Sequence, residues 1–376
     1  MLVVAALSLA IWLYLIFARG GFWLAGERER GAPAPSHGPD VVAIIPARDE
    51  AESIGATVAS LLAQDYAGAF RIVLVDDEST DGTAEIARAA AGGSERLRIV
   101  IGSPTPKGWT GKLWAVWQGV AQAGAPRYLL LTDADIAYAP DALSGLVSRA
   151  EAEGLALNSL MARLRCVSGP ERFAIPAFVL FFQMLYPFAW VNDPARGTAA
   201  AAGGCMLVRR EALEAAGGIA AIRGALIDDC ALAALLKTRG AIRLSLAERV
   251  TSLRRYDDFG EIRRMVMRSA YAQLRYSPVL LVFALLMMGV VFLAPVVAAL
   301  FGHGVARACG LGAWLLMAAA LQPTLRDYRM APLWGAIFPL VAALYTLYTL
   351  ESALASMRGR GGLWKGRFQE HPAREG

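Results

Sequence analysis

The middle of the chain alternates between short apolar runs and segments with helical spacing of small and apolar residues. Four short, mainly apolar segments are predicted to be strands: 41–45, 72–75, 97–101 and 128–135, the last built on the apolar run 129–131. Helices are predicted between them, over about 53–64, 80–91 and 112–123. This alternation of strand and helix predicts a parallel sheet with right-handed crossover connections.

Longer apolar segments lie towards the ends of the chain. Residues 2–18 are uncharged, and a helix of roughly 17–20 residues is near the lower limit for crossing a bilayer. A signal peptide is the competing interpretation, but no charged segment precedes the run and no A-x-A cleavage site clearly follows it. We therefore expect an anchor, and we predict further spans at 279–301, 308–322 and 333–350.

These patterns predict a linear order of domains. The order is an anchor at 1–24, a Pro/Gly-rich linker at 25–39, a catalytic α/β domain at 40–277, transmembrane helices at 278–355 and a basic tail at 356–376. Arg19, Arg28 and Arg30 place the catalytic domain on the cytoplasmic side of a bacterial-type inner membrane. If all later segments cross, the tail faces outward, so one of them is expected to be re-entrant or interfacial.

The segment 173–191 is apolar for almost the thickness of a bilayer. A single crossing here would separate the acids at 133 and 135 from those at 228 and 229, and two prolines and Gln183 weaken a straight span. We predict an interfacial segment that lines the entry for an apolar substrate, with a plain core helix as the alternative.

Composition narrows the class of protein. Of the 376 residues 56% are hydrophobic, and the formal net charge is +5. Much of the excess positive charge lies near the apolar segments, which suits a membrane protein facing anionic lipid. A nucleic-acid partner is not expected, because the sequence has no basic stripe interleaved with aromatic residues.

The positions of the cysteine and histidine residues argue against several kinds of metal binding, cross-linking and catalysis. The four cysteines are scattered and form no CxxC pair, so neither a zinc site nor a disulfide framework is expected. The three histidines, His37, His303 and His371, lie outside the folded middle of the chain. Catalysis by Ser-His-Asp or Cys-His groups is therefore not expected, and acid–base work falls to carboxylates.

Carboxylates occur together at three places. Asp76–Asp77 end one predicted strand, Asp133 and Asp135 end another, and Asp228–Asp229 begin a predicted helix. Acids one residue apart at a strand end can hold a divalent cation that a diphosphate also binds, although a lone DxD is also typical of a solvated turn. A helix N-terminus favours an ionised carboxylate, so Asp229 is expected to be a base at neutral pH, with an N-cap as the alternative.

Four motifs in this order resemble the family 2 glycosyltransferases: PARDE at 46–50, VDDEST at 75–80, TDADI at 132–136 and IDDCALA at 227–233. A fifth motif, GWTGK at 108–112, is similar to the members that modify lipids. Taken together, the middle of the chain resembles most closely the hopene-associated membrane group. The resemblance implies a GT-A fold, a Rossmann-like mixed α/β sheet, with transmembrane helices at both ends. No G-x-G-x-x-G or Walker A motif follows the strands, so nicotinamide and P-loop binding have little support.

The resemblance also implies roles for individual residues. The donor would be bound by a set of residues at the strand ends: Pro46, Ala47, Arg48, Glu50, Asp77, Lys112, Asp133, Ala134 and Asp135. Asp77 would bind the nucleobase, and Lys112 would approach the diphosphate. Asp133 would touch the ribose and, with Asp135, ligate Mg²⁺ or Mn²⁺. Asp229 would be the general base, with Asp228 in place of the glutamate of the family's ED motif.

One family motif is incomplete. Family members often carry Q-x-x-R-W near the membrane, and here two imperfect candidates occur, one containing Arg268 and the other Gln273, Arg275 and Tyr276. Either arginine could instead extend its charge towards water beside the first C-terminal span. The missing tryptophan argues against a processive polysaccharide synthase.

The sequence therefore favours an inverting, metal-dependent glycosyltransferase. It would move a sugar from a nucleotide-sugar donor, with UDP-sugars favoured, to a lipid or isoprenoid hydroxyl at the membrane, in a role connected with hopanoids. A polyprenyl-phosphate glycosyltransferase is the nearest alternative. A magnesium phosphohydrolase and an inactive membrane scaffold are alternatives of other classes, but neither gives the paired acids at 76–77 a role.

Overall fold

The computed structural model describes residues 1–29 and 37–359, together with the backbone of 363–364 and 367–368. The chain forms two compact units. The sheet unit contains Glu27–Arg165 and Trp190–Arg255, and the helical unit contains Met1–Gly26, Cys166–Ala189 and Tyr256–Leu363. The units alternate along the chain, because two segments within the predicted catalytic range of 40–277 belong to the helical unit. Most of the predicted tail at 356–376 lies outside the described residues.

Eight strands form one sheet: β1 Val41–Ala47, β2 Phe70–Asp76, β3 Leu97–Ile101, β4 Tyr128–Thr132, β5 Ile136–Tyr138, β6 Leu157–Arg163, β7 Cys205–Arg209 and β8 Ile242–Ser252. Their order across the sheet is β3-β2-β1-β4-β7-β6-β8-β5. Two short strands, β9 Leu363–Trp364 and β10 Arg367–Phe368, follow near the end of the chain.

The α-helices are α1 Leu2–Ala18, α2 Ile54–Leu62, α3 Thr83–Ala91, α4 Gly111–Gln122, α5 Ala142–Ala152, α6 Gly169–Leu185, α7 Phe188–Val191, α8 Arg210–Ala215, α9 Asp228–Lys237, α10 Phe259–Gln273, α11 Pro278–Met288, α12 Ala294–Phe301, α13 Gly304–Asp327 and α14 Phe338–Met357. A π-helical segment, Gly289–Leu293, joins α11 to α12. Shorter 3₁₀ segments are Phe22–Leu24, Ile219–Ile222 and Pro332–Ile337.

The predicted parallel sheet is confirmed for β1 to β4, and the rest of the sheet is mixed. Strand β1 pairs in parallel with both β2 and β4, and β2 pairs in parallel with β3. Strand β7 then runs antiparallel to β4, with Cys205 opposite Thr132. All seven residues of β1 are buried, because helices cover both faces of the sheet at this point.

The fourth predicted strand, 128–135, is wrong at its carboxyl end. Strand β4 stops at Thr132, and Asp133–Asp135 turn before β5 begins. The turn is fixed by contacts that local pattern does not contain: the Thr57 hydroxyl donates to the Ala134 carbonyl at 2.9 Å, and the Leu253 N–H donates to the Asp135 carbonyl at 2.7 Å. Both acids of the DxD therefore lie in a turn held from two sides.

Helix α4 packs closely on the sheet through a glycine. A Cβ built on Gly119 would lie 2.5 Å from Cγ2 of Ile44, which no real side chain tolerates. Glycine at this position therefore allows the helix to approach β1 without a gap. Because α4 also carries Lys112, this contact helps to fix the height of that lysine above the strand ends.

The helical unit contains the apolar helices. Three helical segments of the C-terminal part are long and apolar enough to cross a membrane: Pro278–Phe301, Gly304–Asp327 and Pro332–Met357. The first matches the prediction, while the second is longer than the predicted 308–322 because polar residues at both ends continue the helix. Helix α1 is apolar throughout but has only 17 residues.

The π-helical segment is satisfied by side chains of α1. Pro295 has no N–H, so the carbonyl groups one turn earlier lack their usual helical donor. The Ser8 hydroxyl donates to the Val290 carbonyl and the Trp12 indole N–H donates to the Val291 carbonyl, each at 2.8 Å. These bonds pair the carbonyl groups in an apolar environment, where unpaired polar groups are costly.

The segment Gly169–Val191 is a fourth candidate span by length and composition, with a mean hydropathy of 1.7. Strands β4 and β7, which precede and follow it, pair in one sheet, so a single crossing would put paired strands on opposite sides of a bilayer. The segment is also 56% buried within the protein, against 22% for Pro278–Phe301. Its predicted interfacial position is consistent with these facts and stays a prediction.

Candidate functional site

The strand ends are linked by hydrogen bonds between the loops that follow β1 and β2. The Ser79 hydroxyl accepts from the Asp49 N–H, and the Asp49 carboxylate accepts from the Thr80 N–H at 2.8 Å. Thr83 accepts from the Glu50 N–H, also at 2.8 Å. The PARDE and VDDEST motifs thus form one cross-linked edge, in which Asp49 has a structural role.

The first corner of this edge contains Arg48 and Asp77. Asp77 is 1% exposed, and its carboxylate lies 3.6 Å from the Arg48 guanidinium. The same guanidinium donates to the Asp77 carbonyl at 2.5 Å. We name Arg48 and Asp77 the β1–β2 corner. Its acid and its base come from neighbouring strand ends, and the guanidinium also lies 3.8 Å from the Glu78 carboxylate.

The second corner is built around Lys112, at the start of α4. Its ammonium group lies 2.9 Å from the Asp133 carboxylate and 3.0 Å from the Asp228 carboxylate. Burial opposes the lysine's charge, but Asp133 and Asp228 outweigh that effect and raise the pKa of Lys112. One fixed cation therefore joins the turn after β4 to the start of α9. We name Lys112, Asp133, Asp228 and Asp229 the β4–α9 corner.

Asp229 lies beside this cation and is held by the backbone. One carboxylate oxygen accepts from the Cys230 N–H at 2.7 Å, and the other accepts from the Gly203 N–H at 3.0 Å. Burial and the adjacent Asp228 raise the pKa of Asp229 to about 6, while Lys112 and the two N–H groups act in the opposite direction. At neutral pH the group is an oriented base that accepts a proton readily.

Asp135 lies on the other side of the turn. Burial, Asp133 and Glu50 raise the pKa of Asp135 to about 6, while Arg254 and Lys112 favour its charged form. Arg254 also lies 3.8 Å from the Glu50 carboxylate. Glu50 thus belongs to the surroundings of Asp135 as well as to the PARDE loop.

The chemistry of Asp133 and Asp135 fits a divalent cation that a second ligand shares. The two carboxylates are one residue apart and repel each other, which a bound cation would relieve. Mg²⁺ commonly takes one or two carboxylates from a protein and its other oxygens from phosphate and water. Within 1–29 and 37–359, no cluster of three or more His, Cys, Asp or Glu side chains could hold a metal ion by itself. The residues therefore fit a metal bound together with a diphosphate.

A cleft opens at the β4–α9 corner. Its polar wall includes Lys112, Asp133, Asp228 and the backbone at Gly203, and Pro46 lines it from the β1 side. The rest of the lining is Thr132 and a set of apolar side chains: Leu113, Val116, Leu131, Met206, Ile219, Ile222 and Leu232. The cleft thus combines a few charged groups with a largely apolar lining, which is typical of ligand sites.

Other residues predicted for the site are placed differently. The side chains of Ala47 and Ala134 are buried in the core of the sheet unit. Arg268, Gln273, Arg275 and Tyr276 belong to the helical unit, on or just after α10. There the Gln273 amide donates to the Tyr186 hydroxyl, and the side chains of Arg268 and Arg275 are exposed.

Sequence reasoning missed two features of the β4–α9 corner. Gly203, which orients Asp229, belongs to a Gly-Gly pair that the pattern places only in a strand or loop. Lys237, at the end of α9, donates to the carbonyls of Val191 and Thr198 at 2.7 Å and so fixes the segment leading to Gly203. The glycine pair just before β7 was the only sequence feature that could have indicated these contacts.

Comparison with known proteins identifies the family of the domain. Residues 42–217 match the family model described as glycosyl transferase family 2, so the chain contains a glycosyltransferase domain of that family. Over 69 residues the chain is 45% identical to the succinoglycan biosynthesis protein ExoU of Rhizobium meliloti, a match covering 18% of this chain and 19% of that protein. The match thus spans about a fifth of that relative's length.

The fold is similar to that of a mannosyltransferase from Pyrobaculum calidifontis, solved in complex with GDP-Man and Mn²⁺. The TM-score is 0.54 at 20% identity, and the alignment covers 91% of this chain and 99% of that one. At this identity the similarity establishes the fold alone. The predicted GT-A fold is confirmed.

Proposed function

We propose that this chain, which contains a family 2 glycosyltransferase domain, transfers a sugar from a nucleotide-sugar donor to a hydroxyl group of a lipid-like acceptor, with inversion at the anomeric carbon. The observation that carries the proposal is the β4–α9 corner, where Lys112 joins Asp133 to Asp228 beside the oriented carboxylate of Asp229. It brings together a cation for phosphate, acids for a metal and a base for the acceptor.

The general base in this proposal is Asp229. It takes the proton of the acceptor hydroxyl while that oxygen attacks the anomeric carbon from the side opposite the leaving group. The new bond joins the acceptor oxygen to the anomeric carbon, and the bond to the diphosphate oxygen breaks, its electron pair leaving with the nucleoside diphosphate. A single displacement with one base inverts the anomeric configuration. The fixed N–H donors at Gly203 and Cys230 keep both carboxylate oxygens in position during the step.

Donor binding is assigned to the strand ends. Asp77 and Pro46 would contact the nucleobase and ribose, with Arg48 and Glu50 beside them, and Lys112 would bind the diphosphate as a point charge. Asp133 and Asp135 would hold Mg²⁺ or Mn²⁺, which when bound stabilises the negative charge on the leaving diphosphate. A UDP-sugar is the favoured donor. GDP-mannose is also included in the test below, because the mannosyltransferase of similar fold was solved with GDP-Man.

A lipid-like acceptor is supported by the apolar helices of the same chain. Besides the segment Gly169–Val191, three helical segments are long and apolar enough to cross a bilayer. We place the protein in the inner membrane with the sheet unit on the cytoplasmic side, and we assign it to the hopene-associated group on the GWTGK motif at 108–112. A hopanoid or other isoprenoid alcohol is the proposed acceptor, and Arg268 or Arg275 is proposed to assist at the diphosphate.

The test is sugar transfer in membranes containing the full chain. Membranes are incubated with Mn²⁺ and labelled UDP-glucose, UDP-N-acetylglucosamine or GDP-mannose, and lipids are then extracted and separated. We expect label in an alkali-stable lipid, and none in membranes containing Asp229→Asn. Label in an acid-labile polyprenyl phosphate would identify the alternative acceptor. Label released only as free sugar or phosphate, or no lipid product with any donor, would refute the proposal.

A further inference from the structure

Three tryptophans form a cluster at the start of α4. The rings of Trp114 and Trp117 stack with centroids 4.8 Å apart and planes at 9°, and Trp109 meets them edge-on at 5.1 and 5.9 Å. These are three of the nine tryptophans in the chain, within nine consecutive residues. We call Trp109, Trp114 and Trp117 the tryptophan cluster. The proposed transfer reaction uses none of them.

The cluster is rigidly supported. The Trp114 indole N–H donates to the Ser103 carbonyl at 2.9 Å, and the Gln118 side chain accepts from the Ser103 N–H at 2.8 Å. The N–H of Thr110, next to Trp109, donates to the Arg223 carbonyl at 2.9 Å. The surface nevertheless stays open, since Trp117 is 39% exposed and nearby Ile101 is 70% exposed. A fixed aromatic surface of this kind is unusual in contact with water alone.

The chain segments that form and adjoin the cluster contain basic but no acidic residues. The sequence contains no Asp or Glu from 96 to 132 and none from 215 to 227, whereas Lys107 and Arg223 are basic and exposed. Asp76 and Asp77, at the end of β2, are buried, whereas the next residue, Glu78, is exposed and lies 3.8 Å from Arg48. The exposed cations of Lys107 and Arg223, near the exposed indole of Trp117, match a bilayer surface, which has anionic headgroups over an apolar interior.

We propose that the tryptophan cluster, with Lys107 and Arg223, docks on the interfacial layer of a bilayer containing anionic phospholipid. Indole rings combine an apolar body with a polar N–H and concentrate at the level of lipid headgroups. A glycan partner is disfavoured, because Trp114 and Trp117 cover one face of each other and the surrounding charge suits phosphate better than neutral sugar. The inference rests on the membrane location included in the proposed function.

Docking would also orient the cleft. Lys112 lies on α4 between Trp109 and Trp114, and its ammonium group reaches the β4–α9 corner. A bilayer held against the cluster would therefore keep the cleft close to the membrane surface, where a lipid hydroxyl is available. This assigns the cluster a role in acceptor access that is separate from donor binding and from catalysis.

The test measures quenching of tryptophan emission by brominated lipid. The full chain is reconstituted in nanodiscs of phosphatidylglycerol and phosphatidylcholine, with or without bromine near the headgroup end of the acyl chains. The variant Trp109→Phe/Trp114→Phe/Trp117→Phe retains the aromatic surface but loses its emission, so wild type minus variant isolates the cluster. We expect this difference signal to be quenched by the brominated lipid. Changing both Lys107 and Arg223 to Glu should remove the quenching in anionic nanodiscs.

The remaining tryptophans supply the internal control, because Trp12 and Trp314 belong to apolar helices. Quenching of these residues without quenching of the difference signal would overturn docking while leaving the membrane location intact. Absence of quenching from all tryptophans would overturn both. Quenching of the difference signal by an added oligosaccharide, but not by brominated lipid, would replace the bilayer with a glycan partner.

Discussion

The β1–β2 corner and the β4–α9 corner lie on the same edge of the sheet, and both place carboxylates beside a fixed cation. At the β1–β2 corner Arg48 faces Asp77, and the guanidinium also binds the Asp77 carbonyl. At the β4–α9 corner Lys112 is shared between Asp133 and Asp228, and Asp229 lies beside them with its pKa raised to about 6.

We interpret this difference as a division between donor recognition at the β1–β2 corner and chemistry at the β4–α9 corner. A buried acid beside an arginine that also binds its backbone carbonyl keeps a fixed position, which suits selective binding of a neutral or polar ligand group. Acids that share a cation and repel one another change protonation easily and attract further cations, which suits proton transfer and metal binding. We therefore expect substitutions at the two corners to impair different properties. Those at the β1–β2 corner should weaken nucleotide binding, and those at the β4–α9 corner should reduce turnover.

The largest effect is expected from Asp229→Asn. Loss of a general base typically reduces turnover by about 10²–10⁴-fold, while donor affinity should hardly change. Steady-state rates and nucleotide binding are measured together, with Glu211→Gln on the exposed side of α8 as the matched control. Equal losses in rate and in donor affinity would reassign Asp229 to a structural role.

Asp135→Ala should abolish the metal dependence of nucleotide binding. Removal of a ligand should weaken binding in Mn²⁺ by more than the roughly 10–100-fold typical of residues that only support a ligand. Calorimetry with uridine diphosphate, with and without Mn²⁺, measures the change, and exposed Glu95→Ala serves as the control. Nucleotide binding that keeps its full response to Mn²⁺ would remove Asp135 from the metal site.

Asp77→Asn tests the β1–β2 corner. Hydrogen bonds to charged groups contribute about 1.5–3 kcal/mol, so nucleotide affinity should fall by roughly 10–100-fold. Unlike Asp135→Ala, this variant should keep its ratio of affinities with and without Mn²⁺. Thermal unfolding of the same variant shows whether folding is retained. An unchanged affinity in a folded variant would exclude the Asp77 carboxylate from nucleotide binding.

The smallest effect is a shift in pH dependence with Asp228→Asn. Transfer requires ionised Asp229, so wild-type turnover at saturating donor should be lost as pH falls through about 6. Because Asp228 helps to raise that pKa, its neutralisation should move the loss to lower pH. Lys112→Met should move it to higher pH, since the lysine acts in the opposite direction. Identical pH profiles for all three proteins would show that another group limits the rate.

The local pattern of apolar and polar residues was sufficient to predict most strands of the sheet. The runs at 41–45, 72–75 and 97–101 are strands, and the predicted helices at 53–64 and 112–123 end within about two residues of α2 and α4. These elements have strong apolar periodicity. The TDAD turn was mistaken for strand because its geometry depends on Thr57 and Leu253, which are distant in sequence.

The sequence by itself determined which acids stand at strand and helix ends and which segments are apolar, because those properties depend on neighbouring residues. Only the tertiary structure decided that Lys112 joins Asp133 to Asp228, that the Gly203 N–H orients Asp229, and that α1 satisfies carbonyl groups near Pro295. Each of these contacts joins residues far apart in the chain, so strand order and register must be set before the partners can meet.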